Sequence, residues 1–157
     1  MTSGRIAPER AERLRAPLLV ALWALLAFET AGGLVLFTAY LVAGRRPGES
    51  LHVVAGVLLA GCYAVYQWRH WGRVAPLRPR VDYVLGTVAA CVTALTLGSG
   101  LVLGAAWWAA RVTARRGGEV GYAPWLSAVH NIGGMLILAF VGAHLGAVLM
   151  RDRTRSR

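Results

Sequence analysis

The chain has 157 residues, 57% of them hydrophobic, with 17 arginines, no lysine and seven acidic side chains, for a formal net charge of +10. A mean hydropathy of +0.53 excludes an ordinary soluble domain. The arginines lie outside four long apolar stretches or at their ends, so the charge marks membrane flanks rather than a nucleic-acid surface.

A basic tail, residues 1–15, precedes the first stretch, Ala16 to about Ala43. That stretch is too long for a signal-peptide core and has no small-residue cleavage site before a soluble domain, so it is read as a retained helix. The turn Arg45-Arg46-Pro47-Gly48-Glu49-Ser50 leads to the second stretch, about Leu51–Trp71, with Ser50 as candidate N-cap. Gly72 to Arg80, with Pro76 and Pro79, connects to the third, about Val81–Ala110. Arg111 to Ala123 is the longest loop, and Pro124 suits the first turn of the fourth stretch, about Pro124–Met150. A second basic tail, residues 151–157, follows; both tails are expected to be interfacial or disordered. Each stretch exceeds the ~20 residues that cross ~30 Å of hydrocarbon, and backbone groups in lipid must be satisfied within the segment. The expected fold is therefore all-α, an antiparallel four-helix transmembrane bundle with short loops.

Charge sets the expected orientation. The two tails and the second connection with its flanks carry twelve arginines, and the other side carries five: Arg45, Arg46, Arg111, Arg115 and Arg116. The positive-inside rule then puts both termini in the cytoplasm of a cell-membrane protein.

The two halves of the sequence resemble each other. Gly33-Leu34-Val35-Leu36 recurs as Gly100-Leu101-Val102-Leu103, and His52-x-x-x-Gly56 recurs as His130-x-x-x-Gly134. The interval from Gly33 to His52 is 19 residues and that from Gly100 to His130 is 30, the longer third loop absorbing the difference. A two-plus-two helix duplication explains this order.

All four histidines fall in the second and fourth stretches. His52 and His70, 18 residues apart, share one helical face, and His130 and His144, 14 apart, come within about 40° of one face. Both helices run from outside to inside, so His52 and His130 approach the outer surface while His70 and His144 approach the cytoplasm. Bis-histidine ligation of haem b needs two such facing pairs, and ionisable residues inside membrane spans are functional candidates. Gly56 and Gly134 each lie one turn beyond a histidine, where a flat macrocycle needs close backbone approach; small residues serve plain helix packing equally well. The inner pair is less regular, because Tyr66 rather than His70 matches the 14-residue interval of the fourth helix.

The pattern resembles the four-helix di-haem cytochrome b subunits of bacterial respiratory enzymes, a group that includes the membrane subunits of formate dehydrogenases and hydrogenases and small stand-alone relatives. The resemblance spans about Ala16 to Met150 and rests on His52-x-x-x-Gly56, His70-Trp71, His130-x-x-x-Gly134 and His144. It implies that His52, His70, His130 and His144 ligate two haems b, which pass electrons between quinone and a partner protein. The 18-residue interval departs from that pattern.

Among other residues, Glu29 is the only carboxyl deep in an apolar stretch. It suits a proton relay, a contact with a haem environment, or a bond to a neighbouring helix through Thr87, Thr93 or Thr96. Arg45 and Arg111, like Arg46, Arg115 and Arg116, suit pairing with outer haem propionates, and each alone reads more simply as an interfacial or lipid-facing charge. Cys62 and Cys91 lack any paired spacing and read as buried small hydrophobes. No hydrolase triad, phosphate loop or dinucleotide fingerprint is present. The chain is thus expected to be an electron-transfer subunit of a quinone-linked oxidoreductase rather than an enzyme alone. The competing expectation is a haem-free membrane anchor or scaffold for a peripheral protein, its histidines interfacial.

Overall fold

Proline and glycine punctuate four helices in the computed structural model, which describes residues 16–74, 81–114 and 123–155. They are α1, Pro17–Ala43; α2, Glu49–Val74; α3, Val81–Ala114; and α4, Pro124–Arg155. Among the described residues there is no strand, so the fold class is all-α as the sequence predicts.

Pro17 opens α1, where a missing N–H costs nothing. Gly44 closes it in the left-handed conformation (φ 63°) and donates its N–H to the Tyr40 carbonyl. Gly48, with φ 77°, then turns the chain, and its carbonyl accepts the N–H groups of Leu51 and His52 at 2.9 and 3.1 Å. Ser50 is therefore inside the first turn of α2 and is not its N-cap; the positive-φ glycine starts the helix two residues earlier than expected. Glu49 sits at that N-terminus, where the helix dipole favours an acid, with Arg46 3.3 Å away. Pro124 opens α4 in the predicted way, the Ala123 carbonyl accepting from Leu126 and Ser127.

Three helices outlast their apolar stretches. α2 continues past Trp71 to Val74, α3 past Ala110 to Ala114, and α4 past Met150 to Arg155. Hydropathy marks where lipid ends, whereas a helix ends where proline, glycine or capping stops it. The tail expected at 151–157 is accordingly helical through Arg155. The tail at 1–15 and residues 75–80 and 115–122 of the two connections lie outside the described residues.

The chain divides into two compact units, α1 with α2 and α3 with α4. Each is an antiparallel helical hairpin, and each corresponds to one copy of the sequence repeat. Leu22, Ala55 and Leu59 are buried in the first; Ala89, Trp107 and Ile137 are buried in the second. The second also buries three hydroxyl residues, each bonded to its own helix: Thr93 to the Ala89 carbonyl, Thr96 to that of Val92, and Ser99 to that of Thr96. Most large apolar side chains remain exposed, among them Leu34, Val42, Leu58, Leu95 and Leu138. All four helices are long and apolar enough to cross a bilayer, with candidate spans Pro17–Ala43, Glu49–Trp71, Val81–Thr113 and Pro124–Met150. The protein is a multi-pass membrane protein whose exposed apolar faces meet lipid.

Candidate histidine sites

In the second unit α4 lays two imidazoles onto α3. His130 Nδ1 lies 3.0 Å from the Thr96 carbonyl oxygen, and His144 Nδ1 lies 2.9 Å from that of Asp82. A carbonyl can only accept, so Nδ1 is the donor in both rings, and in a neutral imidazole the lone pair is then on Nε2. That is the tautomer in which Nε2 binds a metal while Nδ1–H fixes the ring.

A glycine lies beneath each ring. A Cβ on Gly100 would meet His130 Cε1 at 2.7 Å, and one on Gly86 would meet His144 Cε1 at 2.8 Å. Such approaches are inside contact distance, so only glycine seats these rings without displacing them. In both seats the acceptor stands four residues before the glycine: Thr96 before Gly100, and Asp82 before Gly86. One helical turn therefore supplies the oxygen at one level and the gap at the next.

The first unit repeats the seat once, with a substitution. His52 packs over Gly33, where a Cβ would lie 3.4 Å from its Cε1. Four residues before Gly33 stands Glu29, and its side-chain Oε2 is 2.9 Å from His52 Nδ1. Oε2 stands in the place that a backbone carbonyl takes in the other unit, close to the ring nitrogen but without the alignment of a hydrogen bond. Glu29 is 12% and His52 21% exposed at the side chain, so the pair is largely withdrawn from its surroundings. Thr87, Thr93 and Thr96, which belong to the other unit, donate their hydroxyls to carbonyls of α3.

His70 has a different setting. It stacks on Tyr66 of its own helix, ring centroids 5.4 Å apart and planes 15° from parallel. Tyr66 occupies the position that His144 holds in the other copy, so the irregular interval in the sequence is a real difference in side-chain setting.

The remaining candidates separate. Gly56 faces the acid, since a Cβ there would stand 3.3 Å from Glu29 Oε2. Gly134 has open space, and it is the adjacent Gly133 that packs against the Thr96 side chain. Arg45 is exposed beside the α1–α2 turn, where Arg46 takes both Glu49 and the Tyr40 ring. Arg111 lies over the Trp107 ring, 4.4 Å from its centroid. Cys62 is partly exposed and Cys91 exposed, so neither is the buried residue expected; both are free thiols on helix flanks. Among the described residues no three His, Cys, Asp or Glu side chains come together as a cluster for a bare metal ion. Axial ligation of a haem asks for one imidazole on each face and needs no such cluster.

The acceptor–glycine seats were not recognised in the sequence. A signal was there: Gly86 and Gly100 are 14 residues apart, the same interval as His130 and His144 on the antiparallel partner. Comparison with family models, with curated proteins and with solved structures gives no match.

Proposed function

We propose that this protein is a membrane cytochrome b, an electron-transfer subunit in which His52, His70, His130 and His144 supply axial ligands to haem b. The observation that carries the reading is the repeated seat: three imidazoles inside membrane-crossing helices, each over a glycine and each with Nδ1 against an oxygen of the neighbouring helix. The donor set suits this cofactor, because a ring held at Nδ1 presents Nε2 in a fixed direction and imidazole is a common haem ligand. Bound haem b supplies reversible one-electron iron chemistry, which none of the chain's own side chains provides. The chain's contribution is to orient the rings, to keep ligand and acceptor in an apolar setting, and to let backbone approach closely at glycine. Two haems per chain and electron exchange between a membrane quinone and a redox partner protein complete the proposal. The arginine bias supports insertion in the cell membrane with both termini cytoplasmic.

The test is spectroscopic. Protein purified in mild detergent is expected to give a reduced-minus-oxidised haem b spectrum, with a pyridine haemochrome ratio near two per chain. His130→Ala and His144→Ala are each expected to lower that ratio. A folded preparation with no haem signal, even after haem is supplied during expression, sinks the proposal and returns the histidines to a structural or anchoring role.

A further inference from the structure

The seats in the two units differ in one respect: the acceptor for His130 and for His144 is a backbone carbonyl, whereas the group facing His52 is the side chain of Glu29. We propose that Glu29 is a positioning residue for His52 that also lowers the reduction potential of the haem His52 ligates. The proposal rests on the haem reading above and adds a residue role to it.

Three observations converge on Glu29. Its Oε2 lies 2.9 Å from His52 Nδ1, on the side of the ring away from the ligating Nε2. Its place is prepared on the facing helix by Gly56, where any Cβ would crowd Oε2 at 3.3 Å. Its register is that of Thr96, four residues before the seat glycine, so the acid occupies an established acceptor position rather than an arbitrary one. Such a residue in mid-span is costly, and a plain hairpin contact would be served at lower cost by the carbonyl used in the other unit.

The chemistry follows from electron donation. With Nε2 on a metal the remaining ring proton would be on Nδ1, where the Glu29 carboxyl 2.9 Å away would polarise it and increase the donor strength of Nε2, in the manner of the carboxylate–histidine pairs that tune protein-bound metals. Stronger donation would favour the oxidised over the reduced iron. The haem bound by His52 is therefore held at a lower potential than a carbonyl seat would give. Two haems of one chain would then differ in potential.

The experiment uses the full chain purified with haem. Glu29→Gln keeps size and an acceptor oxygen but removes the acid; Gly56→Ala crowds Oε2 while both Glu29 and His52 keep their identity. Gly61→Ala, on α2 with open space around it, is the control. In a spectroelectrochemical titration at one pH, Glu29→Gln is expected to raise the midpoint of one haem component and leave any other unmoved. The low-spin Fe(III) resonance of that same component should shift. Gly56→Ala should move the same component in the same direction, and Gly61→Ala should match the wild type. Should Glu29→Gln fail to accumulate, Gly56→Ala and Glu29→Asp carry the test alone, with Asp restoring potential in part. Haem bound normally with potentials and resonances unchanged in Glu29→Gln and Gly56→Ala overturns this inference and leaves the cytochrome reading standing. Absence of haem from the wild type overturns both.

Discussion

Substituting one hydrogen by a methyl group separates the seat glycines from their neighbours. Gly98 and Gly100 lie two residues apart on α3, yet a Cβ meets open space at the first and His130 Cε1 at 2.7 Å at the second. Gly98→Ala is expected to stabilise the helix by about 0.5–1 kcal/mol, the usual gain on replacing a mid-helix glycine. Gly100→Ala has the same gain but must move the imidazole, an overpacking cost of about 1–3 kcal/mol. Its net effect is therefore destabilising, and the Nδ1 contact to Thr96 is strained or lost. Gly86→Ala should behave likewise at His144, where the approach is 2.8 Å. Unfolding measured in mixed micelles checks the signs, and the haem spectrum checks the ring orientation. An alanine at residue 100 as benign as one at residue 98 would show that the imidazole is not confined. Glu29 shows what a sequence conceals: a buried acid was evident, but its meeting with His52 depended on the register of the antiparallel neighbour helix.

Helix boundaries follow backbone rules as much as hydropathy. The α1–α2 turn uses two glycines at positive φ, Gly44 at 63° and Gly48 at 77°, and both would carry a Cβ into open space. The cost of substitution is thus conformational, not steric crowding by neighbours. Gly48→Ala should destabilise the first hairpin by about 1–2 kcal/mol, the penalty for a left-handed L-residue. Pro47→Ala, one residue away, lacks that penalty; equal losses from both would refute the backbone explanation. Four helices, the proline start of α4 and the two-hairpin repeat were all readable from apolar runs and recurring motifs. The helix ends were not, because the apolar runs stop at Trp71, Ala110 and Met150 while the helical backbone continues. The duplicated motif was readable as letters, Gly-Leu-Val-Leu and His-x-x-x-Gly, but its meaning as an imidazole on a glycine needed the antiparallel pairing. That pairing also explains why His70 stands apart. Tyr66 holds the position repeated by His144, and α1 has Leu19 where α3 has Gly86, so the seat of His144 is not repeated at Tyr66 among the described residues of the first unit.

For the whole chain the strongest remaining signal is charge. Twelve arginines flank the ends proposed to be cytoplasmic and five flank the opposite ends. An arginine near an anionic leaflet gains about 1 kcal/mol from the surface potential, so an excess of seven outweighs any single residue. Four membrane-crossing helices also return the C-terminus to the side on which the chain began. A fluorescent-protein fusion at Arg157 should therefore fluoresce in a bacterial host. An alkaline phosphatase fusion there should be inactive, and one inserted after Gly44 should be active. Neutralising Arg45 and Arg46 should leave this pattern intact, since it only widens the bias. Moving charge the other way is the more severe trial. Replacing Arg5, Arg10, Arg13 and Arg15 by glutamine while adding four arginines beside Arg45 and Arg46 reverses the counts to eight against nine. A mixed phosphatase signal is the expected result, because neither orientation then has a clear advantage. A C-terminal phosphatase fusion active in the unaltered chain would invert the assignment, and with it the side of the membrane that His52 and His130 approach.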